Sequence, residues 1–251
     1  MTNPSYFIDK KILITGAAVG IGKATATLLS QLGAKVILID VNEALLSELL
    51  EGLYNKNNLQ ITFDMGDVDG IEPLVKSLIS KIGPIDGFVH CVGIRSRRPL
   101  SLITPKVLSE VMNINFGSFI EMVRCITKKN YFNENLSIVG VSSIASVRGG
   151  TSVTAYAASK AAMDGAVRCL AKELAPKKIR VNTVVPAQIN TPAYAELMRM
   201  NNNAEDQTLA RQYLGLGEAV DVANVIAFLL GENSRFISGS AIPVDGGFLS
   251  S

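Results

Sequence analysis

Short apolar runs rich in Ile, Leu and Val alternate with helix-like segments from one end of the chain to the other. The runs at 11–15 ("KILIT"), 35–40 ("KVILID"), 59–64 ("LQITFD"), 86–93 ("DGFVHCVG"), 136–143 ("LSIVGVSS"), 179–186 ("IRVNTVVP") and 240–245 ("SAIPVD") predict seven strands. Segments near 20–32, 43–53, 69–82, 105–129, 154–174 and 218–231 predict the helices between them. The strand runs are apolar throughout instead of alternating with polar residues. Such strands are buried on both faces, as in a parallel sheet covered by helices. Right-handed crossovers then give an α/β fold, a single doubly wound Rossmann-type domain over 1–251 with a seven-stranded parallel sheet and helices on both faces. The least patterned stretch is 187–217, with the polar triplet "NNN" inside it. It reads either as a mobile insert over a substrate site or as a surface loop with a short helix or two.

Composition narrows the function classes. With 48% apolar and 18% charged residues the chain has ample core material and no signature of disorder. A formal net charge of +2 argues against a nucleic-acid partner. No apolar run approaches the ~18 residues that suggest a membrane span. Met1 to Lys11 lacks a basic start followed by an apolar core, so no secretory signal is expected. The three cysteines, Cys91, Cys125 and Cys169, are dispersed and odd in number, which supports neither disulfides nor a zinc site and suits a cytoplasmic protein. His90 is the sole histidine, so a histidine-rich metal centre is excluded and no metal is expected.

Two local patterns carry chemistry. "ITGAAVGIGKATA" follows the first strand and opens the first helix, with Gly16, Gly20 and Gly22 flanking Val19 and Ile21. Glycines there permit a tight turn and close backbone approach, and the helix N-terminus offers unpaired N–H groups to a pyrophosphate. Asp40 ends the second strand, where a carboxylate accepts hydrogen bonds from an adenosine ribose and repels a 2′-phosphate; Val41, Asn42 and Glu43 follow it without an arginine. This favours NAD over NADP, the alternative being that Asp40 caps the next helix. Asp64 and Met65 end the third strand where an adenine could be held. The second pattern is "YAASK", with Tyr156 and Lys160 four apart on one helix face. A free tyrosine has a pKa near ~10 and is a poor base at neutral pH. An adjacent ammonium is expected to lower it into a useful range.

Together these pieces resemble the short-chain dehydrogenase/reductase family along nearly the full chain: "TGAAVGIG" (15–22), Asp40, "FDM" (63–65), "HCVG" (90–93), "NFGSF" (115–119), "VSS" (141–143), "YAASK" (156–160), "IRVNTVVP" (179–186) and "VDGG" (244–247). The resemblance implies Tyr156 as general acid/base, Lys160 as holder of the nicotinamide ribose, and Ser143 as hydrogen-bond partner of the substrate oxygen. Ser143 stands thirteen residues before Tyr156, which selects it over Ser142. Asn115, preferred to Asn113, resembles the fourth catalytic residue, which carries a proton path from the lysine. Gly93 keeps the cofactor approach although His90 and Cys91 stand where the family often has two asparagines; His90 reads as a buried structural imidazole. Pro186, Ile189 and Thr191 resemble the positions that hold the carboxamide. The resemblance further implies a homotetramer or dimer.

The substrate is not specified. The implied reaction interconverts a secondary alcohol and a ketone, with 3-oxoacyl thioester reductases the nearest relatives and an acyl carrier protein a candidate partner. The alternatives are a sugar or polyol dehydrogenase acting on an anionic substrate, or a nucleotide-sensing module without turnover. Arg95, Arg97, Arg98 and Arg148 could meet a carboxylate, a phosphate or an acidic carrier protein, or form a solvated basic loop.

Overall fold

The computed structural model describes residues 7–55, 57–200 and 209–250. The first half of the N-terminal stretch and the asparagine triplet at 201–203 lie outside them. Strands β1 (Lys11–Thr15), β2 (Lys35–Asp40), β3 (Leu59–Thr62), β4 (Ile85–His90), β5 (Phe132–Val141), β6 (Arg180–Pro186) and β9 (Ala241–Val244) form one sheet in the order β3-β2-β1-β4-β5-β6-β9. Every adjacent pair is parallel. A further parallel pair, β7 (Ile189–Asn190) and β8 (Gly217–Glu218), closes the ends of the predicted insert against each other.

The strands' continuous apolarity is used on both faces. Ile12 and Ile14 of β1 pack with Ala26 and Leu29 of helix α1 (Gly20–Gln31), Leu46 of α2 (Glu43–Gly52) and Ile226 of α8 (Ala219–Leu230). Leu13, between them, joins the opposite layer, with Val75 of α3 (Ile71–Ile82), Met122 of α5 (Ser118–Ile126) and Val167 of α6 (Thr154–Leu174). Each fully buried aliphatic is worth roughly 1.5–3 kcal/mol, so neither face of such a sheet could be left to water. The chain reverses its direction of winding between β1 and β4, and a doubly wound sheet opens a crevice at the strand ends there.

Several predicted boundaries move; the third strand stops at Thr62, so Asp64 and Met65 lie beyond its end, and the fifth begins at Phe132. The helix expected over 105–129 is instead α4 (Pro105–Met112), a wide turn with π-helical bonding at Asn113–Gly117, and α5. The fourth strand stops at His90 and the fifth at Val141, so Cys91 to Gly93 and Ser142 to Ser143 belong to loops at the crevice. Within 187–217 the described residues hold α7 (Pro192–Met200) and part of the β7–β8 pair, and residues 201–208 of the expected insert lie outside the described residues.

Candidate active site

The crevice is a cleft of about 900 Å³, and fifteen of the sixteen residues assigned to catalysis or cofactor binding from the sequence line it; only Asn115 does not. At one end the glycine turn folds so tightly that two positions admit no side chain. Gly16 has φ +67°, and a Cβ there would lie 2.8 Å from the Val92 nitrogen; at Gly22 it would lie 1.9 Å from the Gly16 carbonyl oxygen. Val19 caps α1 without any side-chain hydrogen bond, and no acidic residue occupies the first turn of that helix. Unpaired N–H groups and the positive end of the helix dipole therefore face the cleft, and they fit a pyrophosphate.

Asp40 stands beside this turn. Its Oδ2 accepts the Ala18 N–H at 3.0 Å and its Oδ1 the Asn42 N–H at 3.1 Å. The cap of α2 is Asn42, whose Oδ1 accepts from Leu45, so the carboxylate of Asp40 is not needed as a helix cap. Its cleft neighbours Val41 and Phe63 are uncharged, and no lysine or arginine stands beside it among the described lining residues. Asp64 is exposed, and its Oδ1 closes a local turn by accepting the Gly66 N–H at 2.8 Å, while Met65 is buried behind it. Pro186, Ile189 and Thr191 line the other side of the same space.

The reacting groups meet where β5 ends. Ser143 and Tyr156 both line the cleft there, near enough for the serine hydroxyl to act on the phenol, and Ser143 Oγ accepts the Ala145 N–H at 3.2 Å. Ser142, beside it, is buried and donates to Asp164 at 2.9 Å. Lys160 is only 3% exposed; its Nζ donates to the Val141 carbonyl at 2.8 Å and lies 5.9 Å from the Tyr156 ring centre. Burial pushes the Lys160 ammonium down to about 8, opposed in part by Cys91 and Asp164.

The expected effect on the phenol is reversed. Burial raises the Tyr156 pKa above its ordinary value, and the Ser143 hydrogen bond and the Arg95 guanidinium recover only part of that rise. A phenolate in a wall of low dielectric costs more than the nearby charges return. The Lys160 ammonium is turned to a backbone carbonyl rather than to the phenol oxygen.

Asn115 sits one layer behind the cleft in the wide turn. Its Oδ1 accepts the Ile94 N–H at 2.8 Å, and its Nδ2 donates to the Ile94 carbonyl and to Ser159 Oγ, at 3.1 and 2.9 Å. These bonds fasten the loop after β4 to α6, whereas Asn113 is exposed. His90 is fully buried; its Nδ1 is 2.9 Å from the Thr15 hydroxyl and its Nε2 3.4 Å from that of Ser118, so the imidazole bridges β1, β4 and α5. Burial, with a smaller push from Lys160, lowers its pKa to about 3.

Of the four arginines singled out, Arg95, Arg97 and Arg148 line the cleft, while Arg98 lies on an adjoining groove. Arg211 and Phe248 line it too and were missed, since no motif marks them. A triad of Glu72, Glu121 and Cys125 elsewhere has metal-ligand spacing, but Arg124 and Lys128 already pair with its carboxylates.

The comparisons with known proteins agree with this geometry. A family model described as enoyl-(acyl carrier protein) reductase matches residues 16–249. The chain is similar to the 3-oxoacyl-acyl-carrier-protein reductase FabG of Thermotoga maritima, with 37% identity over 96% of this chain and 98% of that one. It is similar to the L-xylulose reductase of Caenorhabditis elegans, with 34% identity over 96% of each. A crystal structure described as a short-chain dehydrogenase/reductase, glucose/ribitol dehydrogenase, from Brucella melitensis superposes with a TM-score of 0.89 at 32% identity, covering 97% of this chain and 98% of that one. A glycine turn against a bare helix N-terminus, a serine–tyrosine–lysine cluster at the next strand end and matches along almost the whole chain have one common source: the protein belongs to the short-chain dehydrogenase/reductase family and is an NAD(P)-dependent oxidoreductase.

Proposed function

We propose that this enzyme interconverts a secondary alcohol and a ketone with NAD as the preferred dinucleotide. Bound NAD supplies the hydride acceptor, and NADH the donor. Tyr156 moves the proton, Ser143 holds the substrate oxygen where negative charge develops, and Lys160 carries the positive charge beside the ribose and phenol. Asn115 holds the Ile94 loop against α6 and so keeps the lysine's surroundings in place. The observation that carries the reading is the meeting of Ser143, Tyr156 and Lys160 at one cleft wall, with Lys160 buried one helical turn from the tyrosine.

NAD preference rests on Asp40 and its uncharged neighbours. The reductase relatives favour a 3-oxoacyl thioester as substrate and hence an acyl carrier protein as partner. A sugar or polyol is the second reading, supported by the arginines at the substrate end and by the xylulose and glucose/ribitol names of two matches. Ile189 of β7 and Tyr194 and Leu197 of α7 line the cleft, and the described residues of 187–217 are assigned as the substrate-covering segment. Among the described residues no helix is long and apolar enough to cross a membrane. A cytoplasmic homotetramer or dimer is the assembly proposed.

Fluorescence titration with NADH and with NADPH tests the cofactor assignment. Tighter NADH binding, with the gap narrowed in Asp40→Ala, supports it. Tighter NADPH binding, or an unchanged preference in the variant, removes Asp40 as the ribose reader.

A further inference from the structure

The two ends of the cleft differ sharply in charge. Among the described lining residues the only carboxylates are Asp40 and Asp64, both at the β2–β3 end. The opposite end holds four guanidiniums, those of Arg95, Arg97, Arg148 and Arg211, and no acidic side chain among the described lining residues. They arrive on separate loops: two after β4, one after β5 and one beyond α7. Arg95 and Arg97 share one segment with Arg98 and line the adjoining groove with it, whereas Arg148 and Arg211 reach the cleft from elsewhere in the chain.

Two of these groups are held by a third residue. The guanidinium carbons of Arg148 and Arg211 lie 5.4 and 4.9 Å from the ring centre of Phe248, which is 4% exposed. The ring comes from the C-terminal turn after β9 and stacks against both arginines, fixing planar donor forks where two long side chains would otherwise roam. On the reacting side, Arg95 is near enough to Tyr156 to act on its hydroxyl.

We propose that Arg148 and Arg211, clamped on Phe248 and joined by Arg95, bind an anionic group of the substrate, so that the natural substrate is a small ketone or alcohol bearing a carboxylate or a phosphate. This rests on the reading of the cleft as the site of alcohol–ketone interconversion, and it specifies the substrate class there against the carrier-protein thioester. Planar forks suit both oxyanions, and Ser143 and Tyr156 line the same cleft.

The test is calorimetric binding to the protein saturated with NADH, using two matched pairs: acetoacetate against its methyl ester, and xylulose 5-phosphate against xylulose. At least one anionic member should bind roughly 10–100-fold tighter than its neutral partner, and that difference should collapse in Arg148→Gln and in Arg211→Gln. The pair that discriminates tells carboxylate from phosphate. NADH affinity of the same variants shows that they are folded. Equal binding within both pairs, or a difference that survives both substitutions, overturns the proposal. So does tight binding of a 3-oxoacyl thioester of acyl carrier protein alone, since it would place the anion on a partner protein. Turnover is read separately: discrimination without turnover leaves the anion site standing and removes the catalytic reading, and turnover without discrimination does the reverse.

Discussion

The Lys160 ammonium stands 5.9 Å from the centre of the Tyr156 ring, one helical turn away, yet its hydrogen bond goes to the Val141 carbonyl. The pair is adjacent without being joined. In the protein itself the phenol is therefore governed by burial, and its proton is held more tightly than in water.

An ultraviolet phenolate titration, compared with Tyr156→Phe, should place the Tyr156 transition above the ordinary 10.0. Ser143→Ala should move it higher still, because the lost hydrogen bond favoured the phenolate. A transition below 10 in the protein alone would show that Lys160 dominates after all. Tyr156→Phe should also lower kcat by about 10²–10⁴-fold while NADH binding persists.

Lys160 loads the fold with a buried ammonium whose pKa drops from 10.5 to about 8. Below pH 8 both folded and unfolded chains carry the charge, and the full burial cost applies. Between 8 and 10.5 the folded chain releases its proton first, so stability gains with rising pH, and above 10.5 the cost is gone. By ~1.4 kcal/mol per pKa unit, urea unfolding of wild type should gain about 2–3 kcal/mol on Lys160→Met between pH 7 and pH 10. A constant difference across that range would mean the amine is solvated.

His90 gives the mirror experiment at acid pH. Its imidazole is neutral in the fold, with a pKa of about 3 against an ordinary 6.5, so its contribution is complete above 6.5 and lost as the pH falls from there toward 3. In His90→Asn the stability gap to wild type should shrink by about 2 kcal/mol between pH 7.5 and pH 5, at ~1.4 kcal/mol per unit. The hydroxyls of Thr15 and Ser118 and the rings of Phe88 and Phe119, 6.0 and 5.5 Å away, face the imidazole directly. A gap that does not change with pH would show the ring reaching water.

What the sequence disclosed depended on how far apart the partners lie. Tyr156 and Lys160 share a helix face, and periodicity places them together without any knowledge of the fold. The seven strands were legible because burial on both faces leaves an unbroken apolar run. The break at Asn113–Gly117 was not, since "NINFG" keeps a helical rhythm and the wide turn is associated with Asn115 bonding to Ile94, 21 residues earlier. The clamp of Arg148 and Arg211 on Phe248 joins three distant segments and exists only once β5, β6 and β9 are side by side. The direction of the Tyr156 shift was missed for a related reason: spacing reveals a neighbour and says nothing of the dielectric around it.

Two glycines separate a demand of the site from mere tolerance. At Gly22 a Cβ would sit 1.9 Å from the Gly16 carbonyl oxygen, so the turn must open before alanine fits, and the N–H groups of α1 lose their aim. At exposed Gly52, the last residue of α2, a Cβ meets nothing within 4 Å. Gly22→Ala should weaken NADH binding at least about tenfold, the equivalent of ~1.4 kcal/mol, and lower the urea midpoint. Gly52→Ala should leave binding untouched and raise stability by up to about 0.5–1 kcal/mol through helix propensity. Were Gly22→Ala to bind NADH as wild type does, the glycine turn would serve packing alone and the pyrophosphate would have to sit elsewhere in the cleft.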